Sequence, residues 1–163
     1  MSALIAMPRA EQTAPESAAP IKIAVFDMEL EDYSAGGPIA GESPAETARL
    51  KLVTGQLRDQ LAKSGRYQLV DVSTAHTKEM SDHWLRKCNG CEANIAKSLG
   101  ADRSLLGVFQ KVSVMEQTLV FRIRDAQSGA LIDQPVIDYR GSTDESWSRA
   151  SNRLTKHRLL DER

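Results

Sequence analysis

Few residues in this chain have the type and spacing for chemistry, and the densest group lies in R-K-C-N-G-C-E-A-N-I-A-K-S-L-G-A-D, residues 86–102. It holds the only two cysteines of the 163-residue chain, Cys88 and Cys91, in a C-x-x-C arrangement. That spacing serves a dithiol redox centre, half of a metal site, or a short disulfide that ties down the start of a helix. A thiol at a helix amino terminus is favoured as thiolate, which is what redox work needs. A metal site would add His76 and His83, giving two His and two Cys for tetrahedral zinc, although the spacing matches no finger pattern. Haem attachment is excluded, because Glu92 stands where a histidine would follow Cys91. The structural clip is the preferred reading, with redox work second.

A second group is acidic. Asp27, Glu29, Glu31 and Asp32 cluster at the carboxyl end of the first apolar run, where open α/β sheets gather ligands. Four carboxylates there suit a hard cation, but their spacing lacks the EF-hand pattern. A solvated acidic loop is the expected state. Gly36, Gly37 and Gly41 follow without the G-K-[ST] of a phosphate loop, and no G-x-G-x-x-G occurs. No G-x-S-x-G accompanies His76, His83 or His157, so nucleophilic catalysis has no anchor. Neither a catalytic residue nor a cofactor is expected.

The elements that must position these residues are legible from periodicity. I-K-I-A-V-F-D-M-E-L (21–30) reads as a strand buried on both faces. A loop over 31–42 leads to a helix opened by a Ser43/Glu46 capping box with Pro44 at its first position. Leu50, Val53, Leu57 and Leu61 form its apolar stripe, and Gly65 its stop. Y-Q-L-V-D-V is the second strand, and the polar stretch 73–88 has no clear assignment. A second helix starts with Asn89 as cap and ends at Gly100, placing Cys91, Ile95 and Leu99 on one face. Residues 103–115 and 117–125 are strands, the latter with Leu119, Phe121 and Ile123 inward and Thr118, Arg122 and Arg124 outward. A-Q-S-G turns into 130–141, where Pro135 marks an edge strand or bulge. Residues 142–160 form the last helix, with a Ser142/Glu145 box and Trp147, Ala150 and Leu154 facing in.

The order β-α-β-α-β-β-β-α predicts an α/β (α+β) fold in two or three layers. Its mixed five-stranded sheet has two parallel units and an antiparallel meander. Residues 21–160 are expected to form one domain. Residues 1–20, apolar S-A-L-I-A-M-P-R-A then E-Q-T-A-P-E-S-A-A-P, read as a signal-peptide remnant cut after Ala10 or a disordered leader. A net charge of −1 excludes a general electrostatic partner such as nucleic acid or an anionic membrane. Apolar runs fall short of the ~20 residues that span a bilayer.

Five blocks together carry a resemblance: I-K-I-A-V-F-D-M-E-L, C-N-G-C-E leading to I-A-K-S-L-G-A-D, G-V-F-Q-K-V, R-I-R-D-A-Q-S-G and R-G-S-T-D-E-S-W-S-R-A. Over most of residues 21–160 they resemble a family of small secreted Gram-negative bacterial domains of unknown function. More distantly the chain resembles the amino-terminal domain of the Tol translocation protein, and the curli-secretion and penicillin-binding-protein-activator lipoproteins. The resemblance implies a periplasmic location, an envelope protein as partner, and binding rather than catalysis. Both cysteines being internal, it implies no lipid anchor. The leading expectation is therefore a non-enzymatic accessory or protein-binding module using the sheet edge near Pro135 or the 31–42 loop. The alternative is a thiol-disulfide or metal-handling protein working through Cys88 and Cys91.

Overall fold

The computed structural model describes residues 18–161. The signal-remnant reading of the leader, with its cut after Ala10, lies outside them except for residues 18–20. The class is the expected one, a mixed α/β arrangement, but the strands among the described residues number seven: β1 (Ile21–Val25), β2 (Glu29–Asp32), β3 (Tyr67–Val70), β4 (Arg103–Lys111), β5 (Gln117–Asp125), β6 (Leu131–Asp133) and β7 (Val136–Tyr139). They occupy five positions across the sheet. β1 pairs in parallel with β3 and β4, β2 continues along β4, and β6 and β7 both lie antiparallel on β5. Two of the five expected strands are therefore each interrupted once.

The first interruption decides where the acidic residues point. Val25 is opposite Leu105 and Glu29 is opposite Val108, so four steps on one strand face three on the other. This is a β-bulge, and the extra residue flips the alternation of sides. Before it, odd-numbered Ile23 and Val25 join one core; after it, even-numbered Met28 and Leu30 do. Gly107 on β4 makes the crossing possible, since a Cβ there would lie 2.8 Å from Cγ of Met28. The second interruption is Gln134–Pro135, where the Pro135 carbonyl still accepts from Phe121 N–H at 3.0 Å. Proline has no N–H to donate and so suits this edge position.

Helices α1 (Gly37–Ala40), α2 (Pro44–Lys63), α3 (Lys78–Ser81), α4 (Cys91–Ser98) and α5 (Asp144–Thr155) complete the frame. α2 and α5 cover one sheet face, burying Leu50, Val53, Leu57, Leu61, Trp147, Ala150 and Leu154 as their spacing predicts. Trp147 stacks on Phe109 with ring centroids 4.1 Å apart. Its indole N–H reaches the buried Gln117 amide oxygen at 3.1 Å, an acceptor shared with the Tyr139 hydroxyl. The other face packs Ala24, Phe26, Leu106 and Val108 under α4 and Leu85. The fold therefore has three layers.

Local signals placed some element ends and missed others. The Ser43/Glu46 capping box and Pro44 stand as predicted. The box of α5 is Thr143/Ser146 and not Ser142/Glu145; Ser142 is drawn inward to accept from Gln117 Nε2 at 2.6 Å. α4 begins one residue late, with Gly90 as its cap at φ 107° and not Asn89. The unassigned 73–88 contains α3 between two 3-10 turns, Val72–Thr74 and Leu85–Lys87, and α1 lies inside the expected 31–42 loop.

Candidate functional site

The acidic group is not one solvated cluster. Beyond the bulge, Glu29 turns toward the α4 side and is buried, 2% exposed. Its carboxylate accepts from Leu85 N–H at 2.9 Å and Arg86 N–H at 3.1 Å, and pairs with the Arg86 guanidinium at 2.9 Å. One carboxylate thus closes the 3-10 turn onto the sheet. Asp32 faces the α2 side, where Lys111 bridges it at 3.0 Å to Glu46 at 2.7 Å. Burial pushes both carboxyls up, but hydroxyl and N–H donors and the Lys111 ammonium outweigh it and hold both below their ordinary values. The Glu46 contact, with that of Asp32, raises Lys111 in turn. Gly37 approaches so closely that a Cβ there would collide with the Asp32 carboxylate. Asp27 alone stands largely in solvent, paired with Arg58 at 2.9 Å. Glu31 is half-buried beside Gln110 and accepts from Tyr33, whose phenol it pushes up.

The cysteine segment lies on the same face as Glu29. Cys88 and Cys91 sit at disulfide distance, Cα atoms 5.7 Å apart, half-buried against the second core with Leu99 beside them. Between them Asn89 (φ 28°) and Gly90 (φ 107°) turn the chain into α4, which explains the glycine. Glu92 in the first turn is 1% exposed and holds Nε of Arg124 at 3.0 Å, while Asn89 Oδ1 accepts from the same guanidinium at 3.4 Å. C-N-G-C-E is therefore a clasp around one arginine of β5. Arg122, expected to face outward, does leave the α2 side, yet it donates to the Arg86 carbonyl at 2.9 Å and pins the same segment. His76 and His83 are both exposed. Among the described residues no group of three or more His, Cys, Asp or Glu is arranged to hold a metal ion.

A concave surface lies where these two acidic arrangements meet. It encloses about 580 Å³ between the α1 segment (Gly37, Gly41, Glu42) and Asp82, His83 and Arg86, with Leu30–Tyr33 as its wall. Among the described residues β2 pairs only with β4, because β3 pairs with β1 and stops at Val70. Tyr33 N–H donates to the Lys111 carbonyl at 2.8 Å. By alternation Glu31 and Glu29 also turn their main-chain groups to β4, and Leu30 and Asp32 turn theirs into the groove. Tyr33 on the wall is 56% exposed, and Trp84, adjoining His83, is 55% exposed with Lys87 Nζ 4.9 Å from its ring. Neither aromatic was a candidate from sequence. The available signal was two aromatic residues in otherwise polar stretches of a chain that has few.

No curated protein matches the chain in sequence. Among solved structures, the LpoB C-terminal domain from Salmonella enterica matches with TM-score 0.50 at 19% identity, covering 78% of this chain and 87% of that one. The NMR structure of Escherichia coli LpoB gives TM-score 0.51 at 15% identity over 87% of this chain and 84% of that one. Likeness at such identities shows a shared fold and no more. TolB from Acinetobacter baumannii matches at 12% identity over 84% of this chain and 27% of that one, and its TM-score of 0.46 carries no argument. No helix among the described residues is long and apolar enough to cross a membrane. The family described as Protein of unknown function (DUF2380) matches residues 21–159, and the chain belongs to it.

Proposed function

We propose that this chain is a non-enzymatic accessory module of the bacterial envelope that binds another protein in the periplasm. Residues 1–20 serve as its leader and 21–160 as its one working domain. The observation that carries the reading is the groove beside β2. Main-chain groups of Leu30 and Asp32 face it, Tyr33 stands exposed on its wall, and Trp84, the chain neighbour of the lining residue His83, is exposed too. An extended segment of a partner fits such a site by adding a strand, with main-chain hydrogen bonds for affinity and side-chain pockets for specificity. Tyrosine and tryptophan are the residue types that dominate binding energy at protein interfaces. The carboxylates and arginines nearby are engaged in holding the fold, which supports binding over catalysis. The resemblance to envelope proteins supports the compartment.

Photo-crosslinking in the exporting host tests this. A photoreactive residue at position 33 or 84 should give a discrete adduct with a second protein in the periplasmic fraction. The same label at position 149, exposed on α5, should give none. Adducts from 149 alone, or none from 33 and 84, would overturn the proposal.

A further inference from the structure

Six of the ten large apolar side chains that stand exposed among the described residues lie on β6, β7 and the turn that joins β4 to β5. Leu131, Ile132 and Val136 are on β6 and β7; Val112, Val114 and Met115 are on the turn between β4 and β5. The Gly141 N–H donates to the Val114 carbonyl at 3.0 Å, so this turn continues the β7 edge. Among the described residues no strand pairs with the outer side of β7. Phe121 N–H donates to Pro135, and Leu119 and Gln117 lie opposite Ile137 and Tyr139. The main-chain groups of residues 135, 137 and 139 therefore turn to β5, and those of Val136, Asp138 and Arg140 turn outward. Exposed edges of this kind template pairing with another chain.

Charge selects the occupant. A strand that pairs antiparallel with its own copy across a twofold axis must place some residue opposite itself. Centred on Asp138, the pairing sets two carboxylates face to face, which is destabilising. Centred on Tyr139, it sets Asp138 opposite Arg140 of the second copy and Arg140 opposite the second Asp138. That register also makes the outward-turned residues the hydrogen-bonded pairs, as an antiparallel ladder requires. It brings Val136 of each copy opposite Ser142 of the other, beside the turn that carries Val114 and Met115. A concavity of about 630 Å³ bordered by Met115, Thr118, Asp138, Tyr139 and Arg140 lies along this edge.

We propose that β7 is a self-association edge, through which two copies of this chain join their sheets antiparallel about a twofold axis at Tyr139. The proposal is independent of the β2 groove, which stays open in the dimer. Light scattering on the eluting protein over a range of concentrations reads the mass directly. The wild-type protein should shift from monomer to dimer as concentration rises. Asp138→Arg and Arg140→Asp should each weaken association by about tenfold or more, since each replaces two opposite-charge pairs by like-charge pairs. The double variant, which exchanges the two charges, should restore it, with the thermal melts of all four proteins alike. A wild-type protein that stays monomeric throughout, or a double variant no better than the singles, would overturn the proposal.

Discussion

Glu29 and Asp27 are two residues apart and chemically alike, yet their surroundings assign them opposite weights. Glu29 is buried against two N–H donors and one guanidinium, whereas the Asp27 side chain is 64% exposed beside Arg58. Glu29→Gln keeps the shape but sets an amide against donors at a buried position and leaves the half-buried Arg86 without its carboxylate. Its cost should be about 3–5 kcal/mol, read from the shift in urea midpoint. Asp27→Asn should cost under about 1 kcal/mol. Similar costs for both would mean that the 3-10 turn is not closed by Glu29. Composition alone marked the four carboxylates as one solvated cluster. What separates them is the extra residue between Val25 and Glu29, which depends on the pairing partner β4 and so leaves no local trace.

At the scale of elements, signals within one helix were legible and signals between elements were not. The α2 cap, its stripe and its stop are all near neighbours in sequence, and all stand. Asn89 carries the composition of a cap, but tertiary contact redirects its side chain to Arg124 and leaves Gly90 to open α4. The C-N-G-C-E clasp follows from that. The loop closed by Cys88 and Cys91 is short, so a disulfide there should stabilise by only about 2 kcal/mol. Protein from an oxidising compartment should show no free thiol, and replacing both cysteines by serine should lower the melting temperature slightly with the fold intact. A sulfur that alkylates rapidly in mild acid, reduction of insulin by the protein, or one zinc per chain would instead favour thiol or metal chemistry.

For the whole molecule, the Asp32–Lys111–Glu46 bridge ties β2 and β4 to the start of α2 and makes stability depend on acid. Both carboxyls are held below their ordinary values when folded, so their contribution is complete above the unfolded carboxyl range, about pH 4. It is lost as pH falls through the lower folded values. Lys111→Met should therefore lower stability near neutral pH and flatten the loss as pH falls below the unfolded carboxyl range, about pH 4. Parallel denaturant curves for the variant and the wild type would instead place the acid sensitivity elsewhere. The five-position sheet and its mixed sense were legible because alternation and helix spacing mark them in each segment. The open edge of β2 was not, because it exists only where β3 ends short of its neighbour. That edge is the premise of the binding function, and residue-resolved amide hydrogen exchange on the purified protein tests it most directly. The amides of Leu30 and Asp32 should exchange much faster than those of Glu29 and Glu31, which donate to β4. Equal protection of all four would mean that the groove is already closed and would contradict the account.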